Sequence, residues 1–98
     1  MSFGTPVDSE VLHNAVKDAH EKGILMIAAA GNTKGGQVEY PAAYEEIMAV
    51  GASDIMGNKD EETSDGSEIE IFAPGNQVPV TGLFDGVAGV NGTSISTA

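Results

Sequence analysis

The sequence predicts an α/β domain in which a parallel sheet is flanked by helices. The main observation is an uninterrupted apolar run, residues 24–30, that stops at Gly31-Asn32. The run is too short to span a membrane and does not alternate, so it indicates a central parallel strand covered on both faces. Residues 47–52 form a second run of the same character. Because ligands of open α/β sheets bind at the carboxyl ends of such strands, Asn32 is the first candidate functional residue.

An amphipathic helix is predicted before the first strand. Asp8 or Ser9 can cap its start, and Gly23 suits the position just after its end. Its apolar stripe consists of Val11, Leu12, Ala15, Val16 and Ala19. With residues 1–3 as a preceding strand, this helix and a strand starting at Ile24 make a βαβ unit.

The rest of the chain indicates short elements joined by turns. Residues 69–72 predict a third strand, ended by Pro74-Gly75, and residues 78–80 a short extended segment in which Pro79 limits pairing. Between the second and third strands, residues 54–70 carry seven acidic side chains against one lysine. They lack the spacing of an EF-hand, so this segment is predicted to be a solvated loop.

Composition excludes several classes of function. The 98 residues include no cysteine and carry a formal net charge of −11. Disulfides and thiolate metal sites are therefore excluded, and the negative charge argues against nucleic acid as a partner. No apolar run could cross a bilayer and no signal pattern opens the chain, so we expect no membrane partner. The compartment stays open, with secreted and cytoplasmic locations both compatible with the sequence.

Two histidines and a glycine-rich turn are weaker candidates. His13 and His20 share a helix face, but the spacing places no carboxylate or third ligand beside them, so two surface histidines are predicted. Lys34-Gly35-Gly36 follows the first strand as in a nucleotide-binding, Rossmann-like domain. It lacks the Gly-Lys-Ser/Thr of a phosphate loop, which makes this a weak signal.

The last ten residues supply the second functional candidate. Gly92-Thr93-Ser94 precedes what would be the first turn of a helix, where a hydroxyl group experiences the positive end of the helix dipole. A serine nucleophile needs a base to take its proton and donors to stabilise the oxyanion. The Asn32 side chain and the Ser94 backbone N–H are candidate donors. The predicted helix has only four further residues, too few to be stable alone, so the sequence looks truncated.

These segments together resemble the subtilisin-like serine proteases, or subtilases. The resemblance is collinear over nearly the whole chain and runs through Met-Ser-Phe-Gly, Ala-Ala-Ala-Gly-Asn, Tyr-Pro-Ala-Ala-Tyr, Ile-Met-Ala-Val-Gly-Ala, Phe-Ala-Pro-Gly and Asn-Gly-Thr-Ser-Ile-Ser-Thr-Ala. It implies a subtilisin-like parallel sheet flanked by helices. Residues 1–98 would be a fragment of a catalytic domain that starts after the catalytic Asp and His and ends just beyond the nucleophile.

The resemblance also implies roles for single residues. Ser94 matches the nucleophile, Asn32 the side-chain donor of the oxyanion hole, and Thr93 a residue beside that hole. We therefore expect the Asn32 amide and the Ser94 hydroxyl to converge on one small cavity. The residues that match the two backbone segments flanking the substrate's P1 residue are Ser2, Phe3 and Gly4 and, from the first strand, Ala29, Ala30 and Gly31.

Two further features follow from the resemblance. Glu39, just before Tyr40-Pro41, matches the base of the P1 pocket, where a carboxylate would attract Lys or Arg. The alternative is a solvated loop glutamate. No cofactor is implied as a requirement, but calcium is implied as a structural ion at a weak cation site. The backbone carbonyls that match this site are those of Ala42, Tyr44 and Ile47.

The resemblance is incomplete in three places. The Asp and His that precede the serine in the family are not in this chain, nor is the Pro-His that usually follows it, and Glu62-Thr63 stands where Phe-Ser is common.

The resemblance as a whole implies an endopeptidase that acts on peptide or protein substrates through an acyl-enzyme on Ser94. The fragment alone should be inactive, and it should self-associate because half a sheet protein leaves apolar surface uncovered. The alternative is a degenerate or excised module that acts as a non-catalytic interaction domain.

Overall fold

A three-stranded parallel sheet is the centre of the structure, a computed structural model that describes all 98 residues. The helices are α1 (Glu10–Glu21) and α2 (Thr93–Thr97), and the strands are β1 (Ile27–Ala29), β2 (Met48–Ser53), β3 (Ile69–Pro74), β4 (Val78–Thr81) and β5 (Val87–Val90). The sheet has the order β1-β2-β3, and β4 and β5 form a separate antiparallel hairpin. The predicted α/β class is confirmed.

Both ends of α1 are set by local signals. The Ser9 hydroxyl accepts a hydrogen bond from the Leu12 N–H at 3.4 Å, so Ser9 is the N-cap. At the other end Gly23 has a φ of +75°. Its N–H and that of Ile24 donate to carbonyls in the last turn, at 2.9 and 3.1 Å, in the pattern of a Schellman motif.

This cap explains why the prediction of a strand from Ile24 is wrong. The Ile24 N–H is bonded to the helix and is not available to a sheet, so the strand begins only at Ile27. Ile24 is 53% exposed and Leu25 is 74% exposed. Nor is this strand central: β2 lies in the middle, with Ala28 opposite Ala49.

The predicted strand at residues 1–3 is reduced to one residue. The Met1 amino group donates to the Ile27 carbonyl at 2.6 Å, and the Ala29 N–H donates to the Met1 carbonyl at 3.0 Å. These two bonds lie on either side of Ala28, as in a parallel ladder. The first residues therefore run beside β1, which brings Ser2 toward the carboxyl end of that strand.

The core lies between α1, the sheet and the turn before β2. Its buried members are Val16, Ala28, Ala30, Val38, Ala42, Tyr44, Ile47 and Ala49. The buried face of α1 is narrower than the predicted apolar stripe. Leu12 and Val16, one turn apart, pack in the core, whereas Val11 is 82% exposed. No helix of the structure is long and apolar enough to cross a bilayer.

The acidic segment is not wholly the solvated loop that its composition predicts. Asp60, Thr63 and Ser64 are 7%, 1% and 0% exposed. These polar groups are buried because each is hydrogen-bonded: Asp60 accepts from the Asn76 amide, and Thr63 bonds to the Ala52 backbone. The segment thus packs across the carboxyl ends of β1 and β2.

Many apolar side chains have no cover within the chain. Only 20 of the 98 residues are buried. The large apolar side chains that are at least three-quarters exposed are Val11, Ile55, Met56, Leu83, Phe84 and Val87. Self-association therefore stays a prediction that this surface favours.

We expect sedimentation velocity to detect oligomers of the 98-residue chain whose share rises with protein concentration. Added salt should increase that share, because it screens the repulsion between copies that each carry a net charge of −11. A stable monomer at every protein and salt concentration would contradict the prediction.

Candidate functional site

Residues from both ends of the chain and from the end of β1 meet around one cavity of about 180 Å³. The residues that line it are Ser2, Phe3, Gly4, Ala29, Gly31, Asn32, Glu39, Thr93 and Ser94. All the side chains and backbone segments for which the sequence predicted a catalytic or substrate-binding role are thus together, except Ala30. Ala30 is fully buried in the core, because neighbouring residues of an extended segment face opposite sides.

Asn32 is held in place by Thr93. Its side-chain oxygen Oδ1 accepts a hydrogen bond from the Thr93 N–H at 2.8 Å and another from the Thr93 hydroxyl at 2.9 Å. The same hydroxyl accepts from the Gly31 N–H at 3.2 Å, and Thr93 is 1% exposed. Because Oδ1 is fixed on Thr93, the Asn32 NH₂ group is the free end of the amide and has no hydrogen-bond partner in the chain.

Ser94 is half-buried in the first turn of α2 and makes reciprocal bonds with Ser2. The Ser94 hydroxyl donates to the Ser2 carbonyl at 3.3 Å, and the Ser2 hydroxyl donates to the Ser94 carbonyl at 3.1 Å. No histidine lines the cavity. The hydroxyl of Ser94 is therefore bonded to backbone and not to a base.

Glu39 fills the space above two glycines of the cavity wall. A Cβ atom on Gly4 would lie 2.3 Å from Glu39 Oε2, and one on Gly31 would lie 2.8 Å from Glu39 Cδ. Gly31 also has a φ of +104°, which L-residues rarely adopt. The carboxylate of Glu39 makes no ion pair, since the lysines that do form pairs bond to Asp18, Glu61 and Asp65. The cavity thus has one uncompensated negative group.

No sequence pattern indicated a role for Ser64, which the structure places behind Asn32. The Ser64 N–H donates to the Gly31 carbonyl at 3.0 Å, and the Ser64 hydroxyl accepts from the Thr33 N–H at 3.2 Å. A serine between acidic residues has the composition of a surface loop. Only the tertiary contacts distinguish it from one.

The histidines differ from each other more than predicted. His20 is exposed, as a surface histidine should be. His13 is half-buried: its Nε2 lies 3.2 Å from a carboxylate oxygen of Glu46, and its ring stacks on that of Tyr44 with centroids 4.0 Å apart. His13 thus ties α1 to the turn before β2.

No group of three or more His, Cys, Asp or Glu side chains is arranged to hold a metal ion.

Two of the three residues of the predicted cation site line one cavity. Tyr44 and Ile47 line a separate cavity of about 290 Å³ together with Glu45, Glu68 and Glu70, but Ala42 does not. Carboxylate and carbonyl oxygens are the ligands that calcium prefers. The Tyr44 carbonyl already accepts the Ile47 N–H at 3.0 Å. Calcium binding therefore stays a prediction.

The order of the sequence motifs and the cavity at the carboxyl end of β1 are typical of one class of protein. Comparison with known proteins identifies that class. The chain belongs to the subtilase family, because the model of the Subtilase family matches residues 1–98. The resemblance predicted from the motifs is thus confirmed.

The proteins that the chain is similar to include an extracellular protease and two subtilisins. The chain is 42% identical over 98 residues to Minor extracellular protease Epr of Bacillus subtilis strain 168, covering 99% of the chain and 15% of that protein. It is 40% identical over 97 residues to Subtilisin Savinase of Lederbergia lenta, covering 99% of the chain and 36% of that protein. With Subtilisin DY of Bacillus licheniformis the identity is 41% over 101 residues, covering 99% and 37%. The chain therefore spans well under half the length of these relatives.

The contact between His13 and Glu46 predicts a pH dependence of stability. Desolvation opposes the ionisation of Glu46, but hydrogen bonds from its own backbone N–H and from His13, with the charge of His13, lower its pKa below the ordinary 4.5. A carboxyl group with a lowered native pKa stabilises the fold above its unfolded pKa, and this stabilisation is lost as the pH falls through the native pKa. Glu46→Gln should therefore lower the melting temperature at about pH 6, and the difference from wild type should shrink below about pH 4.

Thermal melts followed by circular dichroism between these pH values measure the effect. The neighbouring exposed Glu45 provides the control, Glu45→Gln, which should change the melting temperature little. A wild-type to E46Q difference that is constant across the pH range would contradict the prediction.

Proposed function

We propose that residues 1–98 are the nucleophile-bearing part of a subtilisin-like serine endopeptidase that hydrolyses peptide bonds through an acyl-enzyme on Ser94. The observation that carries this proposal is the shared cavity of Asn32 and Ser94, in which the Asn32 amide is locked by its oxygen and has its NH₂ group free. An amide donor and a hydroxyl side by side are the parts that acyl transfer needs.

In the proposed reaction the Ser94 oxygen attacks the carbonyl carbon of the scissile peptide bond. A base takes the hydroxyl proton, and the carbonyl oxygen becomes an oxyanion. The Asn32 NH₂ group donates to it, with the Ser94 N–H as second donor, since the first N–H groups of a helix have no partner within the helix. The C–N bond then breaks, the amine leaves with the proton, and water hydrolyses the ester.

The base is not supplied from within these residues. His13 is bonded to Glu46, and neither His13 nor His20 lines the cavity. In the family, a catalytic Asp and His precede the serine in chain order. We therefore propose that the isolated chain is inactive and that a longer protein completes the site.

Covalent labelling tests this function. A fluorophosphonate probe should label Ser94 in the full-length protein that contains these residues, and should label neither Ser94→Ala nor the isolated 98-residue chain. Asn32→Ala should lower kcat of the full-length protein by about 10²–10³-fold. This range is the effect of removing the side-chain oxyanion donor from subtilisin.

Two results of the labelling experiment would contradict the proposal, and they lead to different conclusions. Labelling of the isolated chain would show that a base exists within the 98 residues. A folded full-length protein that is neither labelled nor active would favour the alternative, a non-catalytic interaction module.

We also propose that the site prefers Lys or Arg at P1. The supporting observation is the Glu39 carboxylate, which lies in the cavity beside Ser94 without a cation to neutralise it. The side chain lies between Gly4 and Gly31. These glycines belong to the two backbone segments that flank the substrate's P1 residue in the family. A cationic P1 side chain entering this space would meet a single negative group, whereas an acidic one would be repelled.

Glu39→Gln keeps the size of the side chain and removes its charge. In the full-length protein it should lower kcat/KM for substrates with Lys or Arg at P1 by about 10–100-fold, the range of a charged hydrogen bond of about 1.5–3 kcal/mol. Substrates with Leu or Met at P1 should change little. Glu68→Gln, which alters a carboxylate of the adjoining larger cavity, is the matched control. An unchanged P1 profile in E39Q would show that Glu39 does not select the substrate.

Calcium has no step in this mechanism. Where it binds, it would be a structural ion at the carbonyls of Ala42, Tyr44 and Ile47, and a higher melting temperature in calcium would reveal it.

A further inference from the structure

The two peptide groups that flank Asn32 are held by one residue. The Ser64 N–H donates to the carbonyl of Gly31, just before Asn32, at 3.0 Å. The Ser64 hydroxyl accepts from the N–H of Thr33, just after it, at 3.2 Å. Ser64 itself is 0% exposed, whereas Thr33, the donor of the second bond, lies at the surface. The backbone of Asn32 is therefore bracketed from a single point.

Ser64 is itself part of a fixed segment. On one side, backbone bonds tie the segment to β2, because the Thr63 N–H donates to the Asp60 carbonyl at 3.1 Å and the Asp60 N–H donates to the Ala52 carbonyl at 2.9 Å. On the other side, the Asp65 N–H donates to the Gly36 carbonyl at 2.7 Å. Ser64 thus transmits the position of the sheet to the turn that carries Asn32.

The turn needs such a support because of its composition. Asn32 is exposed and follows Gly31, which has a φ of +104°. Glycine is the residue type with the greatest backbone freedom, so it does not by itself hold the turn in place. Thr93 fixes only the far end of the Asn32 side chain, at Oδ1. The direction of the NH₂ group depends on both ends of the side chain, and the backbone end depends on Ser64. Packing leaves no slack, since a Cβ atom on Gly31 would lie 2.8 Å from the Ser64 hydroxyl oxygen.

We infer that Ser64 is a positioning residue that aims the Asn32 amide into the cavity shared with Ser94. The inference rests on the proposed function, in which that amide stabilises the oxyanion. Ser64 does not line that cavity, so its effect passes through Asn32. Loss of its hydroxyl releases the Thr33 N–H and lets the Asn32 turn shift.

The chain offers a matched control in the preceding residue. Thr63 is also a buried hydroxyl, 1% exposed, but it bonds to both backbone groups of Ala52 and to neither neighbour of Asn32. Thr63→Val therefore removes a buried hydrogen bond of the same kind from the same segment. It should lower stability without moving the Asn32 turn.

A double-mutant cycle in the full-length protein tests the inference. Ser64→Ala should lower kcat by about 10-fold or more while KM changes by less than about 2-fold, because a displaced oxyanion donor weakens only the transition state. In the Asn32→Ala background the same S64A change should have almost no further effect on kcat. T63V should lower the melting temperature and leave kcat nearly unchanged in both backgrounds.

Equal kcat factors for S64A with and without Asn32, or a T63V effect as large as that of S64A, would overturn the inference while leaving the oxyanion role of Asn32 intact. A full kcat in N32A would instead overturn the proposed role of Asn32, and the inference with it. If S64A melts below the assay temperature, Ser64→Cys takes its place. The thiol has a similar size but accepts hydrogen bonds weakly, so the same coupling with Asn32 is expected at smaller amplitude.

Discussion

Two hydrogen bonds from Thr93 to the Oδ1 atom of Asn32 hold the site together. They join residues 61 positions apart, at 2.8 and 2.9 Å, and they are supported by a third bond from the Gly31 N–H to the Thr93 hydroxyl. Because one buried residue both orients the amide and precedes Ser94 in the chain, the Asn32 side chain and Ser94 cannot move independently. The cavity, the free NH₂ group and the position of Ser94 all depend on this contact.

The sheet supports this contact through small side chains. Ala28 and Ala49 lie opposite each other in β1 and β2 and are both fully buried, so the residues that cover the sheet, Val16 and Tyr44 among them, can pack close to it. The carboxyl ends of these strands then lie side by side, and the acidic segment packs across them through Thr63 and Ser64. The site is therefore supported on one side by α2 and on the other by a segment whose composition resembles a surface loop.

Sequence patterns predicted the local features well and the tertiary ones unevenly. The ends of α1 were predictable because Ser9 and Gly23 act within a single turn, whereas the start of β1 was not, because the Ile24 N–H was taken by the helix cap. Burial of Ser64 could not be predicted, since a hydroxyl becomes a core group only when its partners arrive from elsewhere in the chain. The cluster around Asn32 and Ser94 was expected from family motifs alone, and composition gave no means to pair them. Likewise, the position of Glu39 above two glycines depends on contacts that no local pattern encodes.

The reciprocal bonds of Ser2 and Ser94 also bear on how this region forms. They span 92 residues, so the contact that completes the cavity closes almost the whole of the described chain into a loop. Closing a loop of this length costs conformational entropy, so we expect this contact to form after the local ones. During synthesis the cavity cannot exist until Ser94 has left the ribosome, by which time the sheet strands are already available. Assembly of the cavity around Ser94 is thereby tied to completion of this region, and a partly made chain holds no preformed cavity.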